Sequence, residues 1–122
     1  MPAPHACYYE DDPTLACDLT LAALAQPDGV VLFPTDTVYG LGARIDSEPA
    51  IKKIFKAKGR SKGQPLPILI AETEQLRQIA AQISPLAWKL AERFWPGGLT
   101  LVLPKAPRIS ELISAGGNTV AV

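Results

Sequence analysis

An apolar run, GVVLFP at positions 29–34, passes directly into a polar segment, TDTVYGLG at positions 35–42. The apolar run predicts a short buried strand that ends at Pro34. Because α/β sheets collect ligands in loops at the carboxyl ends of strands, the polar segment is a candidate binding loop. Its two threonine hydroxyls, its carboxylate and its tyrosine could line a small polar pocket beside close-approach glycines. The alternative is a tight loop whose glycines supply positive φ angles.

Helices and strands alternate loosely on both sides of this segment. The apolar periodicity predicts helices at residues 13–26, 48–58, 72–83 and 85–94, and a short helix or turn at residues 109–115. Further strands are predicted at residues 66–71, 99–103 and 118–122. This order indicates an α/β or α+β layer fold with a mixed sheet.

The size and composition are those of one globular domain, residues 1–122, with a loose N-terminal segment at residues 1–12. The chain has 122 residues, of which 48% are hydrophobic and 20% charged. No apolar run is long enough to cross a bilayer, and the N-terminus lacks a secretory pattern, so a cytoplasmic location without membrane contact is expected. The chain ends inside the strand predicted at residues 118–122, which suggests a domain that is incomplete at its C-terminus.

The supply of histidine and cysteine limits the chemistry, because the chain has only His5, Cys7 and Cys17. A structural zinc site usually takes four such ligands, so no metal site is predicted. Two free thiols are expected instead of a disulfide, since the cytosol is reducing. A Ser-His-Asp triad would have to use His5, and no nucleophile elbow accompanies it.

The charges are distributed unevenly although the formal net charge is zero. Residues 1–50 hold eight acids and one base, whereas residues 52–62 hold six of the twelve bases and no acid. Such a basic run is most often a solvated helix face. It can also be an anion site for phosphate or nucleic acid.

The helical period separates one lysine from the rest of this basic run. Lys58 lies four residues after Ile54 and seven after Ile51, which returns it to the apolar stripe at the C-terminal end of the predicted helix. Burial of part of a lysine costs free energy unless an anion or carbonyl groups bind it, so Lys58 is a candidate anion-binding residue. Arg60, just past Gly59, has a planar guanidinium that can bind phosphate with two hydrogen bonds. The alternative is that Lys58 snorkels and binds the last carbonyls of the helix.

Several motifs follow one another along the chain: PTDTVYGLGA at positions 34–43, IFKAKGR at 54–60, PL at 65–66, WPGGLTLVL at 95–103 and NTVAV at 118–122. In this order they resemble the YrdC/Sua-type family of threonylcarbamoyl-AMP synthases. The resemblance runs from about Gly29 to the last residue. It implies an α/β fold of the YrdC-like kind, a twisted open mixed sheet flanked by helices, with one concave basic face.

The resemblance also implies an activity. The expected enzyme is a nucleotidyltransferase, an L-threonylcarbamoyladenylate synthase that forms threonylcarbamoyl-AMP and pyrophosphate from L-threonine, bicarbonate and ATP. ATP is then a substrate, Mg²⁺ accompanies it, and the product serves tRNA threonylcarbamoyladenosine modification together with other tRNA-modification proteins. Two alternatives remain: a double-stranded RNA or tRNA-binding module of the same fold without catalysis, and a carbamoyl-adenylate-forming domain of a hydrogenase-maturation enzyme, which needs large flanking domains.

The site residues follow from the resemblance by position. The family's Lys-x-Arg pair corresponds to Lys58 and Arg60, which are expected to be catalytic and to contact ATP. Threonine is expected to bind Thr35, Thr37 and Tyr39, and ATP is expected to contact Gln64 and Thr119 as well. The chain ends before the family's Arg-x-Pro and Ser-x-Asn motifs, so little activity is expected of these residues alone. The chemistry agrees with such a site, because preorganised cations can stabilise a triphosphate, a carboxylate and a carbamate without a protein nucleophile.

Overall fold

The computed structural model describes residues 7–61 and 63–122, and its backbone divides into two compact units, Met1–Lys58 and Gly59–Val122. His5 and Lys62 lie outside the described residues. Of the N-terminal segment predicted to be loose, residues 7–12 are described, and they form a turn in which the amides of Asp11 and Asp12 donate to the Tyr8 carbonyl. The single domain 1–122 stays a prediction.

The N-terminal unit is a helix, a hairpin and a second helix: α1 (Pro13–Leu24), β1 (Val30–Phe33), β2 (Gly40–Ala43) and α2 (Glu48–Lys58). Helix α1 begins after Asp12, whose carboxylate accepts a hydrogen bond from the Leu15 amide at 2.9 Å, and Pro13 occupies its first turn. The helix predicted at residues 13–26 is thus confirmed, with an end two residues earlier.

The segment predicted to be a buried strand is half-exposed, and the loop predicted after it ends in a strand. Strands β1 and β2 pair antiparallel, with Val30 opposite Ala43 and Phe33 opposite Gly40. Leu32 is 65% exposed, so the prediction of a buried strand was wrong. Strand β2 was missed because its sequence, GLGA, lacks the alternation that marks a strand.

The glycines of β2 serve close packing, because neither has a positive φ angle. A Cβ atom on Gly40 would lie 2.8 Å from Cζ of Phe33. Since that distance is far below van der Waals contact, glycine is required for the Phe33 ring to cover the hairpin. The alternative of a loop built on positive φ angles is therefore wrong at these positions.

Helix α2 has the bounds predicted from the sequence. The Ser47 hydroxyl accepts a hydrogen bond from the Ala50 amide at 3.3 Å near its start. Gly59 follows its last residue with φ +58°, the left-handed conformation typical of a residue that ends a helix. The buried face of the helix consists of Ala50, Ile51, Ile54 and Phe55.

The C-terminal unit combines short helices with one hairpin. Its elements are a 3₁₀ turn (Thr73–Gln75), α3 (Leu76–Ile79), α4 (Pro85–Phe94), β3 (Val102–Pro104), α5 (Glu111–Ser114) and β4 (Thr119–Ala121). Strands β3 and β4 pair antiparallel with Leu103 opposite Val120, and Leu101 and Val122 exchange two backbone hydrogen bonds of 2.9 Å beyond them. Helix α4 has the predicted bounds, and the elements predicted at 99–103, 109–115 and 118–122 are present with altered or shorter bounds.

Two predictions for this unit were wrong, because one helix is shorter than predicted and one predicted strand is not found. The helix predicted at residues 72–83 stops at Ile79, because Ala80 is extended and the Ala81 amide donates to the Pro104 carbonyl at 2.8 Å. The strand predicted at residues 66–71 is an extended segment outside any ladder, held by the amides of Leu66 and Ile68. Prolines at positions 65 and 67 supply no N–H group, which interrupts a regular ladder.

Helices packed with antiparallel strand pairs agree with the predicted α/β class. The core of the C-terminal unit draws on its α-helices and both of its strands, with the side chain of Leu76 fully buried and Ile109, Ile113 and Val120 nearly so. Among the described residues, no helix is long and apolar enough to span a membrane.

Candidate functional site

The turn between β1 and β2 is shaped by the hydroxyl of Thr35. This oxygen accepts hydrogen bonds from the amides of Thr37 at 3.3 Å and Val38 at 3.2 Å, and it donates to the Val38 carbonyl. A threonine hydroxyl that bonds the main chain two and three residues ahead fixes a local turn. The hydroxyl of Thr35 is therefore occupied by its own backbone.

The other two predicted threonine-binding residues keep their polar groups available. The Thr37 hydroxyl lies 3.5 Å from the Thr35 hydroxyl, at the limit of a weak hydrogen bond, and its side chain is exposed. Tyr39 is 65% exposed. The structure thus brings Thr35 and Thr37 together, with the former holding the turn and the latter free to bind a ligand.

Lys58 is the last residue of α2, and its side chain is exposed. The inward orientation that the helical period predicted is not found. Lys53, on the same helix, already has an ion-pair partner, since its ammonium lies 2.6 Å from the Asp28 carboxylate. That hydrogen bond, with the attraction between the two charges, lowers the pKa of Asp28 below its ordinary value.

Arg60, at the start of the C-terminal unit, is half-buried. Its Nη2 atom donates to the Pro65 carbonyl at 3.2 Å, which closes the short segment between them. Its Nε atom is buried and has no hydrogen-bond partner among the described residues. A guanidinium is always charged and has five N–H donors, so Arg60 keeps unused donors for an anion.

The two further ATP-contact candidates lie in the same unit as Arg60. Gln64 has an exposed side chain, and its backbone amide donates to the Ser61 carbonyl at 3.1 Å, shortly after Arg60. Thr119 begins β4 opposite Pro104, with an exposed side chain. Their polar ends are thus accessible to a ligand.

Two polar residues of this unit were missed by the sequence argument. Ser114 is buried and its hydroxyl has no partner among residues 7–61 and 63–122. Lys105 has a side chain only 9% exposed, with its ammonium 3.0 Å from the Ile109 carbonyl and 2.8 Å from the Glu111 carboxylate. Neither residue belongs to a motif or a periodic stripe, so the sequence carried no signal for them.

The described residues offer few ligands for a metal ion. Among the described residues, no group of three or more His, Cys, Asp or Glu side chains could hold a metal, and Cys7 and Cys17 are free thiols. Mg²⁺ is usually bound by carboxylates and substrate phosphates, and the described residues offer no carboxylate cluster for it. No chemical step is therefore assigned to a protein-held Mg²⁺.

Two open surface grooves do not include the predicted site residues. One, of about 240 Å³, is lined by residues of the N-terminal unit that include Pro27, Arg44 and Ser47. The other, of about 370 Å³, lies in the C-terminal unit beside Trp88, over which Arg77 stacks at 4.4 Å. Arg44 and Asp46 in the first groove form an ion pair with each other, and Arg77 in the second pairs with Glu74. Because both grooves are broad and open, neither is assigned as a small-molecule site.

A family model named Sua5_yciO_yrdC and described as telomere recombination matches residues 23–122. The threonylcarbamoyl-AMP synthase of Pyrococcus abyssi is 55% identical over 93 residues, which are 76% of this chain and 27% of that protein. The threonylcarbamoyl-AMP synthase of Bacillus subtilis is 45% identical over 113 residues, which are 92% of this chain and 32% of that protein. The chain thus spans less than a third of the length of these two relatives.

Solved structures show the same similarity. The crystal structure of P. abyssi Sua5 complexed with L-threonine has a TM-score of 0.78 and 50% sequence identity, and the match covers 83% of this chain and 29% of that one. The crystal structure of Escherichia coli YciO has a TM-score of 0.67 at 19% identity over 88% of this chain and 50% of that one, a likeness that concerns the fold alone.

Proposed function

Because this chain belongs to the Sua5/YciO/YrdC family, we propose that it carries threonine-binding and ATP-binding residues of a threonylcarbamoyl-AMP synthase. The proposed reaction converts L-threonine, bicarbonate and ATP into threonylcarbamoyl-AMP and pyrophosphate, for threonylcarbamoyladenosine modification of tRNA. The observation that carries the proposal is the likeness to a threonine-bound Sua5 structure at 50% identity over 83% of this chain.

The cations of the chain suit the charge that this reaction moves. The threonine nitrogen first forms a C–N bond with bicarbonate, which loses water and leaves threonylcarbamate. A carbamate oxygen then attacks the α-phosphorus of ATP, the bond from that phosphorus to the bridging oxygen breaks, and pyrophosphate leaves with the negative charge. Arg60 has unused N–H donors, and the exposed ammonium of Lys58 has no partner among the described residues. Positioned cations that bind the phosphates stabilise such a transition state without a protein nucleophile.

The hydroxyls of the first hairpin are assigned different roles in threonine binding. Thr37 and Tyr39 offer accessible polar groups to the amino acid. Thr35 is a positioning residue, since its hydroxyl holds the turn on which the other two lie. The exposed side chains of Gln64 and Thr119 are proposed to bind polar groups of the nucleotide.

Calorimetric titration tests the proposal on the chain as it stands. L-Threonine and L-valine have nearly the same shape, so only a site that bonds the hydroxyl separates them. We expect L-threonine to bind at least about tenfold more tightly than L-valine, and ATP to bind in the presence of L-threonine. Equal binding of the two amino acids, or no binding of L-threonine and ATP, would contradict the proposal. Threonine-dependent and bicarbonate-dependent release of pyrophosphate would extend it to catalysis.

A second candidate, an RNA-binding module, is favoured by the exposed lysines of α2. Lys52, Lys56 and Lys58 are exposed along this helix. If these three neutralise RNA phosphates, affinity for a double-stranded RNA should fall by roughly 40-fold between about 50 and 200 mM salt, whereas L-threonine binding should hardly change. RNA affinity that is absent at the lower salt concentration would exclude this candidate.

A further inference from the structure

Two buried polar atoms of the C-terminal unit have no hydrogen-bond partner among the described residues: Nε of Arg60 and Oγ of Ser114. Ser114 is only 5% exposed. Buried polar groups in folded proteins nearly always have a partner, because an unsatisfied one loses its bonds to water without replacement. Such an atom therefore indicates a ligand group or a bound water that completes it.

Two hydrogen bonds to backbone carbonyls connect both residues with the segment at Pro65 and Leu66. The Nη2 atom of Arg60 donates to the Pro65 carbonyl at 3.2 Å. The next residue, Leu66, donates its amide to the carbonyl of Ile113 at 2.9 Å, and Ile113 directly precedes Ser114. Since two hydrogen bonds and one peptide unit separate the guanidinium from Ile113, the two unsatisfied atoms belong to the same part of the unit.

The backbone around Ser114 is fixed by the turn that ends α5. Ala115 and Gly116 have φ angles of +53° and +76°, and the Gly117 amide donates to the Ser114 carbonyl at 2.9 Å. This turn leads into β4, whose first residue is Thr119. The hydroxyl therefore comes from the end of α5, at a hydrogen-bonded turn five residues before the candidate nucleotide contact Thr119, in the unit that also holds Arg60.

We propose that Ser114 is a further ligand-binding residue, whose hydroxyl binds a phosphate oxygen of the nucleotide together with the Nε–H of Arg60. The assignment rests on the proposed function for the identity of the nucleotide. Both groups are hydrogen-bond donors, and a phosphate oxygen accepts several donors at once. The ligand thus supplies an acceptor to two polar atoms that have no partner within residues 7–61 and 63–122.

The test compares Ser114→Ala with Ser110→Ala, a matched control at the N-cap of the same helix. The Ser110 hydroxyl is used by the protein, since it accepts a hydrogen bond from the Leu112 amide at 3.2 Å. Thermal unfolding without ligand and calorimetric titration with ATP and with inorganic pyrophosphate are measured for each. We expect Ser114→Ala to keep or raise the Tm and to weaken both ligands about tenfold. We expect Ser110→Ala to lower the Tm and to leave both affinities unchanged.

A second variant keeps the test independent of the serine. Arg60→Lys retains the positive charge but removes the Nε–H donor, so it should also weaken ATP and pyrophosphate about tenfold. Unchanged affinities in Ser114→Ala would overturn the assignment, and a lowered Tm with unchanged affinities would show that the hydroxyl holds a structural water only. Wild-type protein that binds neither ATP nor pyrophosphate would also overturn it.

The same titrations separate this inference from the proposed function. Binding of pyrophosphate without any binding of L-threonine or ATP would contradict the proposed function, and the Ser114→Ala arm would still decide the phosphate contact. Binding of L-threonine and ATP with no effect of Ser114→Ala would support the proposed function and overturn the contact.

Discussion

The two compact units differ in how their candidate binding residues are supported. In the C-terminal unit, buried side chains come from helices, strands and the extended segment around Ile68, whereas among the described residues of the N-terminal unit they all lie on α2. Helix α1 has no buried residue, and Leu21 is 66% exposed. Because local stability follows buried apolar contact, the hairpin that carries Thr37 is expected to open more readily than the segment that carries Arg60.

Polar groups are also satisfied differently in the two units. The Thr35 hydroxyl has three backbone partners within its own turn. In contrast, the buried atoms Arg60 Nε and Ser114 Oγ have none among the described residues. The threonine-binding candidates of the first hairpin are thus held by local turn geometry. Arg60 and Ser114 instead each have a buried donor that finds no partner among the described residues.

The largest expected effect contrasts a buried leucine of the C-terminal unit with an exposed leucine of the N-terminal unit. Leu76→Ala should destabilise the protein by about 3 kcal/mol, since Leu76 is fully buried and its loss leaves a cavity. The exposed Leu21→Ala in α1 should cost less than about 0.5 kcal/mol. Chemical denaturation measures the free energy of unfolding of both variants, which can be compared when their m values agree. Losses of similar size would contradict the difference between the units.

The next effect concerns the buried ammonium of Lys105. Lys105→Ala should cost about 1–3 kcal/mol, because the variant removes a charged donor from the Ile109 carbonyl and from Glu111. Lys53→Ala, which breaks an exposed ion pair with Asp28, is the control and should change the stability little. If the two variants unfold at the same denaturant concentration, Lys105 has no special role.

A third prediction separates the two threonines of the first hairpin. Thr35→Val should destabilise the protein by about 1 kcal/mol, because it removes three hydrogen bonds of an exposed turn. Thr37→Val should keep the Tm and weaken L-threonine about fivefold, which corresponds to one neutral hydrogen bond. Thermal unfolding and calorimetry check the pair. A Thr37→Val protein with unchanged affinity would remove this residue from the site.

The smallest effect is a pH dependence. The Lys53 ammonium lowers the pKa of Asp28 below its ordinary value. The ion pair therefore stabilises the folded state above the ordinary carboxyl pKa of about 3.9, and this contribution is lost as the pH falls through the lowered value. A carbon-detected NMR titration should show the Asp28 carboxyl returning to its ordinary pKa in Lys53→Met. A pKa that is the same in both proteins would contradict the pairing.

Much of the fold could be predicted from the sequence, because long periodic segments carry their own signal. The bounds of α2 and α4 were predicted correctly, since apolar stripes and a proline in the first turn marked them. The YrdC-like α/β fold predicted from the motifs is confirmed by the solved structures that resemble this chain. Strand β2 was missed because two of its four residues are glycines that pack against Phe33, a contact across the hairpin that hydrophobic alternation does not show.

The candidate site could be predicted only in part. The motifs predict Arg60 as a site residue, but its buried Nε depends on packing, which periodicity does not report. The expectation that Lys58 turns inward failed, since a side chain in the last turn of a helix can follow solvent. Ser114 had no signal at all, because its burial is set by the tertiary contacts of α5.

The most direct measurement of the central claim is the calorimetric affinity of the chain for ATP in the presence of L-threonine, compared between wild type and Arg60→Ala. The charged donors of Arg60 should contribute at least about tenfold to the affinity, with the Tm nearly unchanged, and the exposed Lys58→Ala should show the same direction with a smaller loss. An Arg60→Ala protein that unfolds early and binds ATP as tightly as the wild type would contradict the account.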